Sequence, residues 1–188
     1  MNTAVSLVDR CVAGEAEAWR ELHRTYYPIV RTFLRRLGVL GHEEEDACQE
    51  VFVQVLRYLK RFEQRAELKT WLYRLCMTQA NVLRRRRALR GRWFFFAAQP
   101  PLVAPAGDAG LEWSEADMDR HVGRALARMK ARHREVFILY ELEGLSGERI
   151  ASILRCPEPT VWRRLHHARR EFGALITGAA PEAGKETP

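Results

Sequence analysis

Apolar residues recur at intervals of three and four along most of this chain, and that period decides its fold class. Trp19, Leu22, Tyr26, Val30, Phe33 and Leu37 form one stripe. Ala47, Val51, Val55, Leu59 and Phe62 form a second, widened by Phe52 and Leu56. Leu68, Trp71, Leu72, Leu75, Gln79 and Val82 form a third, and Val161, Leu165, Ala168 and Phe172 a fourth. A helix brings such positions onto one face, whereas a strand needs alternation at every second residue. No segment alternates convincingly, so the pattern predicts an all-α protein.

Breakers divide the stripes. Val5 to Val12 reads as a short first helix ended by Gly14, and a second helix starts near Glu15. Pro28 lies inside it and should kink it, because proline removes a backbone donor. Helices are expected from Glu43 to Phe62 and from Glu67 to Leu89. Ala97 to Gly110 holds Pro100, Pro101, Pro105, Gly107 and Gly110 among alanines, which reads as a flexible linker. Further helices are expected at Glu115–Met129, Arg132–Leu142, Ser146–Leu154 and Glu158–Leu175. A chain of 188 residues suits two small helical domains. The expected division is a first domain over 1–96, a linker over 97–113, a second domain over 114–175 and a disordered tail over 176–188. Trp93, Phe94, Phe95 and Phe96 are expected to pack back onto the first domain, the alternative being an exposed contact patch.

Lys and Arg number 31 against 24 Asp and Glu, a formal charge of +7. That balance suits a polyanionic partner. The charge is also segregated. Glu43, Glu44, Glu45, Asp46 and Glu50 form an acidic block, and Arg84, Arg85, Arg86, Arg87, Arg90 and Arg92 a basic one, which suggests two surfaces with different partners. The acidic residues open a helix and the arginines close one, so the helix dipole accounts for part of both. Cys11, Cys48, Cys76 and Cys156 are too scattered for a zinc site or a disulfide framework and read as reduced thiols. No apolar run approaches the ~20 residues that span a membrane, and the N-terminus lacks the features of a signal peptide. A cytoplasmic protein without membrane insertion is expected.

Leu145 to Phe172 has helix-turn-helix character. A short helix carries Ile150, Ala151, Ile153 and Leu154, with Ala151 small where two helices must cross. Arg155, Cys156 and Pro157 make the turn, and Pro159 sits in the first turn of the next helix, where proline is tolerated. The outer face of that helix carries Thr160, Trp162, Arg163, Arg164, His166, His167, Arg169 and Arg170. A recognition helix needs base-reading groups flanked by phosphate-neutralising cations.

Two separated segments resemble one family. Asp46-Ala47-Cys48-Gln49-Glu50-Val51-Phe52, with Trp71-Leu72-Tyr73-Arg74 and the arginine run, resembles region two of bacterial sigma factors. Leu145-Ser146, Ile150-Ala151, Thr160-Val161 and Arg164-Leu165-His166-His167-Ala168-Arg169-Arg170 resemble region four. Their order, with a linker and no further domain, is similar to the extracytoplasmic-function group of RNA polymerase sigma factors.

The resemblance implies that Asp46, Gln49, Glu50 and Phe52 dock on the clamp helices of core RNA polymerase. It implies that Trp71, Tyr73, Arg74, Thr78, Arg84 and Arg85 capture the opened minus-ten element of promoter DNA. Capture of single strands needs a basic groove and often an aromatic platform. Tyr73 is the candidate platform, while Trp71 falls on the apolar stripe and fits the core as well. The minus-thirty-five element would be read by Thr160, Trp162, Arg163, Arg164, His166, His167 and Arg170, with region four also meeting the polymerase flap. An anti-sigma factor is a further partner implied by the resemblance. No cofactor, metal or catalytic residue is implied. The chain departs from the family pattern at Thr78, Val82, Arg149 and Arg155. At Arg155 the family carries glycine, and a left-handed backbone there would cost an arginine about 1 kcal/mol.

Two other readings compete. A stand-alone helix-turn-helix regulator explains Leu145 to Phe172 but not the acidic helix. A recombinase would need a nucleophile on an α/β domain, and Ser6 lies in a helical pattern without strands. The acidic cluster is a poor magnesium site, because consecutive helical residues point around the axis.

Overall fold

The computed structural model describes residues 6–62, 67–93 and 115–177. All regular structure among them is helical: α1 (Leu7–Val12), α2 (Ala16–Arg36), α3 (His42–Tyr58), α4 (Leu68–Trp93), α5 (Glu115–Arg128), α6 (Ala131–Phe137), α7 (Gly147–Leu154) and α8 (Glu158–Thr177). A 3-10 turn, Leu59–Arg61, follows α3, and a π-helical turn, Ile138–Leu142, extends α6. The all-α architecture agrees with the apolar period. The last helix runs past the expected boundary at residue 175. Ile176 and Thr177, expected in the disordered tail, are the end of α8; the expected linker, the rest of the tail and the Phe94–Phe96 cluster lie outside the described residues, as does the side chain of Trp93.

Local signals set the ends of the elements. Ser6 caps α1 through a capping box: its Oγ accepts from the Asp9 N–H at 3.1 Å, and the Asp9 carboxylate accepts from the Ser6 N–H at 3.3 Å. Helix α2 continues through Pro28 as one element. Pro28 sits on the exposed face, where water can take the carbonyl left without a donor. Gly38 and Gly41 both hold positive φ, at 88° and 65°, and turn the chain from α2 into α3.

In the first bundle α2, α3 and α4 pack on one another and α1 leans on α2. Leu22, Val30, Phe33, Leu34, Ala47, Val51, Val55, Leu72, Tyr73 and Cys76 are all but sealed from solvent. The Phe33 and Tyr73 rings stack at 4.3 Å. The buried face of α4 is Leu72, Tyr73, Cys76, Met77, Gln79 and Leu83, while Trp71, Leu75 and Val82 are half-buried. The face expected from Trp71, Leu75 and Val82 is rotated, because α4 meets α2 and α3 on one side and α7 on another. Leu56 also departs from expectation: it is 56% exposed. The stripe Ala47, Val51, Val55, Leu59 already fills the groove, and Leu56 lies about 100° round the helix from Val55. The four cysteines are free thiols. Burial pushes the Cys48 thiol up to about 11, so it acts as a small hydrophobe.

In the second bundle α5, α6 and α7 pack on α8. Leu126, Val136, Ile138, Leu139, Ile150, Val161, Leu165 and Ala168 form its core. Glu171 on α8 takes the His133 ring nitrogen Nδ1 at 2.6 Å and the Lys130 N–H at 2.8 Å, tying the start of α6 to α8. Helices α7 and α8 come close at Gly147. A Cβ on Gly147 would stand 2.5 Å from the Trp162 ring and 2.7 Å from Glu158 Oε1. Trp162 Nε1 donates to Glu158 Oε1 at 3.2 Å, and the ring meets Tyr140 edge-on at 5.5 Å. Helix α7 ends on Arg155 at φ 50° and ψ 50°, the left-handed conformation that glycine adopts without strain.

Two stability changes follow. Arg155→Gly is expected to raise stability by about 1 kcal/mol in denaturant titration, since Arg155 is exposed and its removal opens no buried cavity. Gly147→Ala is expected to cost about 1–3 kcal/mol and to alter the near-ultraviolet circular dichroism, because the new methyl must displace Trp162.

Candidate nucleic-acid and protein interfaces

The acidic start of α3 divides into an inner and an outer set. Glu43 pairs with Arg87 of α4, Glu44 with Arg31 and Arg35 of α2, and Glu45 accepts from the Tyr27 hydroxyl at 2.6 Å. The bond to Glu45 pushes the Tyr27 hydroxyl up to about 12 and draws the Glu45 carboxyl down. Asp46 is exposed and Glu50 half-exposed, and neither forms an ion pair among the described residues. Gln49, Phe52 and Leu56 lie at steps of three and four on the same outer face. Phe52 is half-buried against His23 at 4.6 Å and Tyr27 at 6.2 Å. Leu56 extends the apolar part of this face. Leu56 was not among the residues expected on this face, because its place in the apolar stripe reads as core.

The arginine run divides in the same way. Arg87 reaches Glu43 and the Gly38 carbonyl, and Arg84 reaches Glu135 of α6 at 3.1 Å and Asn81 at 2.6 Å. Arg85 and Arg86 are exposed and form no ion pair among the described residues. Tyr73, the candidate platform, is instead 1% exposed. Its ring lies on Phe33 and its hydroxyl donates to Glu143 of the second bundle. Trp71 is half-buried, with its ring 5.3 Å from Phe62. Arg74 Nη2 donates to Ser152 Oγ of α7 at 3.3 Å, and Thr78 is exposed, its hydroxyl bonded to the Arg74 carbonyl at 2.9 Å.

On α8 the expected residues fall into two groups. Arg163, His166, His167 and Arg170 are exposed, and Thr160 and Arg164 are half-exposed. None of these forms an ion pair among the described residues. Burial, then the neighbouring His133 and His166, hold the His167 imidazole below its ordinary value. Trp162 is outward yet tethered to Gly147 and Glu158, and Arg169 is engaged internally by Glu141 at 2.7 Å and lies over the Tyr140 ring. The outward cations repeat along one side of the helix, as contact with a phosphate backbone requires. Among the described residues no cluster of three or more His, Cys, Asp or Glu is placed to hold a metal, and no helix is long and apolar enough to cross a membrane.

Comparison with known proteins bears on both halves. The family model described as Sigma-70 region 2 matches residues 22–90, and that described as Sigma-70, region 4 matches residues 119–172. The chain is 29% identical over 170 residues to the RNA polymerase sigma factor CarQ of Myxococcus xanthus, covering 90% of this chain and 95% of that one. It is 30% identical over 173 residues to the ECF RNA polymerase sigma-E factor of Escherichia coli K12, covering 87% and 88%. Its fold is similar to that of the sigma factor RpoE of Bartonella quintana, solved with the anti-sigma factor NepR. The TM-score is 0.69 at 22% identity, over 86% of this chain and 98% of that one. It is similar also to CnrH, solved with the cytosolic domain of CnrY, with a TM-score of 0.65 at 20% identity over 93% and 97%. A region-two bundle with an outward acidic helix, followed by a region-four helix-turn-helix with an outward basic helix, thus carries matches in both parts, and the chain belongs to the extracytoplasmic-function group of sigma-70 RNA polymerase sigma factors.

Proposed function

We propose that this sigma factor, which binds core RNA polymerase and directs promoter recognition and transcription initiation, divides the work among three surfaces. Asp46, Gln49, Glu50 and Phe52, extended by Leu56, dock on the polymerase. Helix α4, through Trp71, Arg74, Thr78, Arg84 and Arg85, holds the opened minus-ten strand. Helix α8, through Thr160, Arg163, Arg164, His166, His167 and Arg170, reads the minus-thirty-five duplex, with Trp162 setting the angle at which α7 presents it. Residues 1–96 and 114–175 serve as the two functional domains, with 97–113 between them and 176–188 as a tail.

The observation that carries this reading is the charge of opposite sign on α3 and α8 that forms no ion pair among the described residues. A chain that neutralises Glu43, Glu44, Arg87 and Arg169 internally leaves Asp46 and Glu50 for a basic protein surface. The same internal pairing leaves Arg163 and Arg170 for phosphates. Promoter opening draws on binding energy, with no nucleotide hydrolysis, catalytic residue or cofactor in this chain, and the protein works in the cytoplasm. An anti-sigma factor is proposed as its regulator, as NepR is solved bound to the Bartonella quintana sigma factor of similar fold.

The test is promoter-specific transcription by sigma-free core polymerase, with and without the protein. Initiation is expected to require the protein and to fall about tenfold with Asp46→Ala or Phe52→Ala, a loss of about 1.4 kcal/mol in core binding. With the assembled complex, Arg163→Ala or Arg170→Ala is expected to weaken duplex binding and to reduce the salt slope by about 1 for each phosphate no longer neutralised. A protein that ignores core polymerase yet holds duplex DNA tightly would instead be a stand-alone regulator.

A further inference from the structure

Three guanidiniums line one cavity of about 300 Å³: Arg84 and Arg87 come from α4 and Arg134 from α6, while Leu37, Val39 and Leu83 give it an apolar wall. Arg84 pairs with Glu135 at 3.1 Å, and Arg87 pairs with Glu43. Arg134 is different. Among the described residues it forms no ion pair, and its Nη1 donates to the Leu126 and Ala127 carbonyls at 3.2 and 3.4 Å. Its Nε is buried and has no hydrogen-bond partner among the described residues. Burial, with Arg84 and Arg87 acting in the same direction and Glu135 against them, holds its guanidinium below the ordinary value. A sheltered cation costs stability until an anion meets it. Gly38 makes room for this arrangement. A Cβ there would stand 2.9 Å from Arg134 Nη1, and the Gly38 carbonyl accepts from Arg87 Nη1 at 3.2 Å. One glycine thus seats two of the three guanidiniums.

We propose that this cavity binds a small phosphomonoester, its phosphate taken by Arg134 together with Arg84 and Arg87, and its organic group laid along Leu37, Val39 and Leu83. Glu135 and Glu43 offset two of the three positive charges, and the charge left over is that of Arg134. Guanidinium forks match phosphate oxygens in pairs of hydrogen bonds. A phosphomonoester offers three terminal oxygens to three such groups. A phosphodiester of a nucleic-acid backbone offers two and carries less charge, so it fits the cavity less well. The volume lies at the small end of ligand pockets, about 300–1,000 Å³, and exceeds what a bare phosphate fills. Arg87 and Arg134 have no part in the strand-capture set of α4, so the cavity is independent of that reading; Arg84 is shared.

Isothermal titration of the full chain at low salt, with phenyl phosphate and with inorganic phosphate as probes, tests the site. Phenyl phosphate is expected to bind at one site and about tenfold more tightly than phosphate, the difference arising at the apolar wall. Arg134→Gln is expected to weaken it at least tenfold. Arg132→Ala removes the same charge from an exposed position that does not line the cavity, and is expected to change affinity less than twofold. Arg134→Gln also removes the link to the end of α5, so Ala127→Glu serves as a second variant. Ala127 is exposed and lines the cavity, and a carboxylate there supplies the anion that Arg134 lacks. Ala127→Glu is therefore expected to raise the melting temperature of the free chain and to abolish binding of both probes. Wild-type affinity in Ala127→Glu overturns the site. Equal weakening by Arg132→Ala and Arg134→Gln overturns it too, since binding is then diffuse attraction to a basic chain. Equal affinity for the two probes overturns the organic half of the ligand.

Discussion

Glu43, Glu44 and Glu45 fasten the first bundle by reaching two neighbouring helices from one turn of α3. Glu44 engages Arg31 and Arg35 on α2, Glu45 takes the Tyr27 hydroxyl on the same helix, and Glu43 engages Arg87 on α4. The arginines are about half exposed, so each pair contributes at most about 1 kcal/mol. Stability therefore rests on the apolar seam of Leu22, Phe33, Val51, Val55 and Leu72. The pairs fix the rotation of α3 about its axis. That rotation turns Asp46 and Glu50 outward and sets Phe52 against His23 and Tyr27.

The periodicity of three and four was enough to read the all-α class, and residue identity was enough to read the helix-turn-helix. The turn chemistry at Arg155 was also legible, since the position proved left-handed. The local period could not show which flank of a helix a third neighbour covers. Tyr73 and Leu56 exchange their expected places for that reason: α2 and the second bundle enclose Tyr73, while nothing among the described residues encloses Leu56. Glu143 carries no motif, and its partners Arg36 and Tyr73 stand 107 and 70 residues away, so only the folded chain brings them together.

The helix-turn-helix shows how a local rule can be broken and compensated. Arg155 strains the turn, but its N–H still bonds the Ala151 carbonyl and closes α7. Gly147 restores a tight crossing by admitting the Trp162 ring, which Glu158 and Tyr140 then hold. The aromatic side chain on the outer face thus packs between α7 and α8, and Arg163, His166 and Arg170 beside it stay in solvent.

The candidate nucleic-acid residues of the two bundles differ in their surroundings. The outward groups of α8 face solvent, while Tyr73, Arg74 and Arg84 of α4 are engaged by Glu143, Ser152 and Glu135. A carboxylate and a phosphate compete for the same cations, so Arg84 would have to exchange one anionic partner for another before it met a phosphate, whereas a solvated arginine has no such partner to give up.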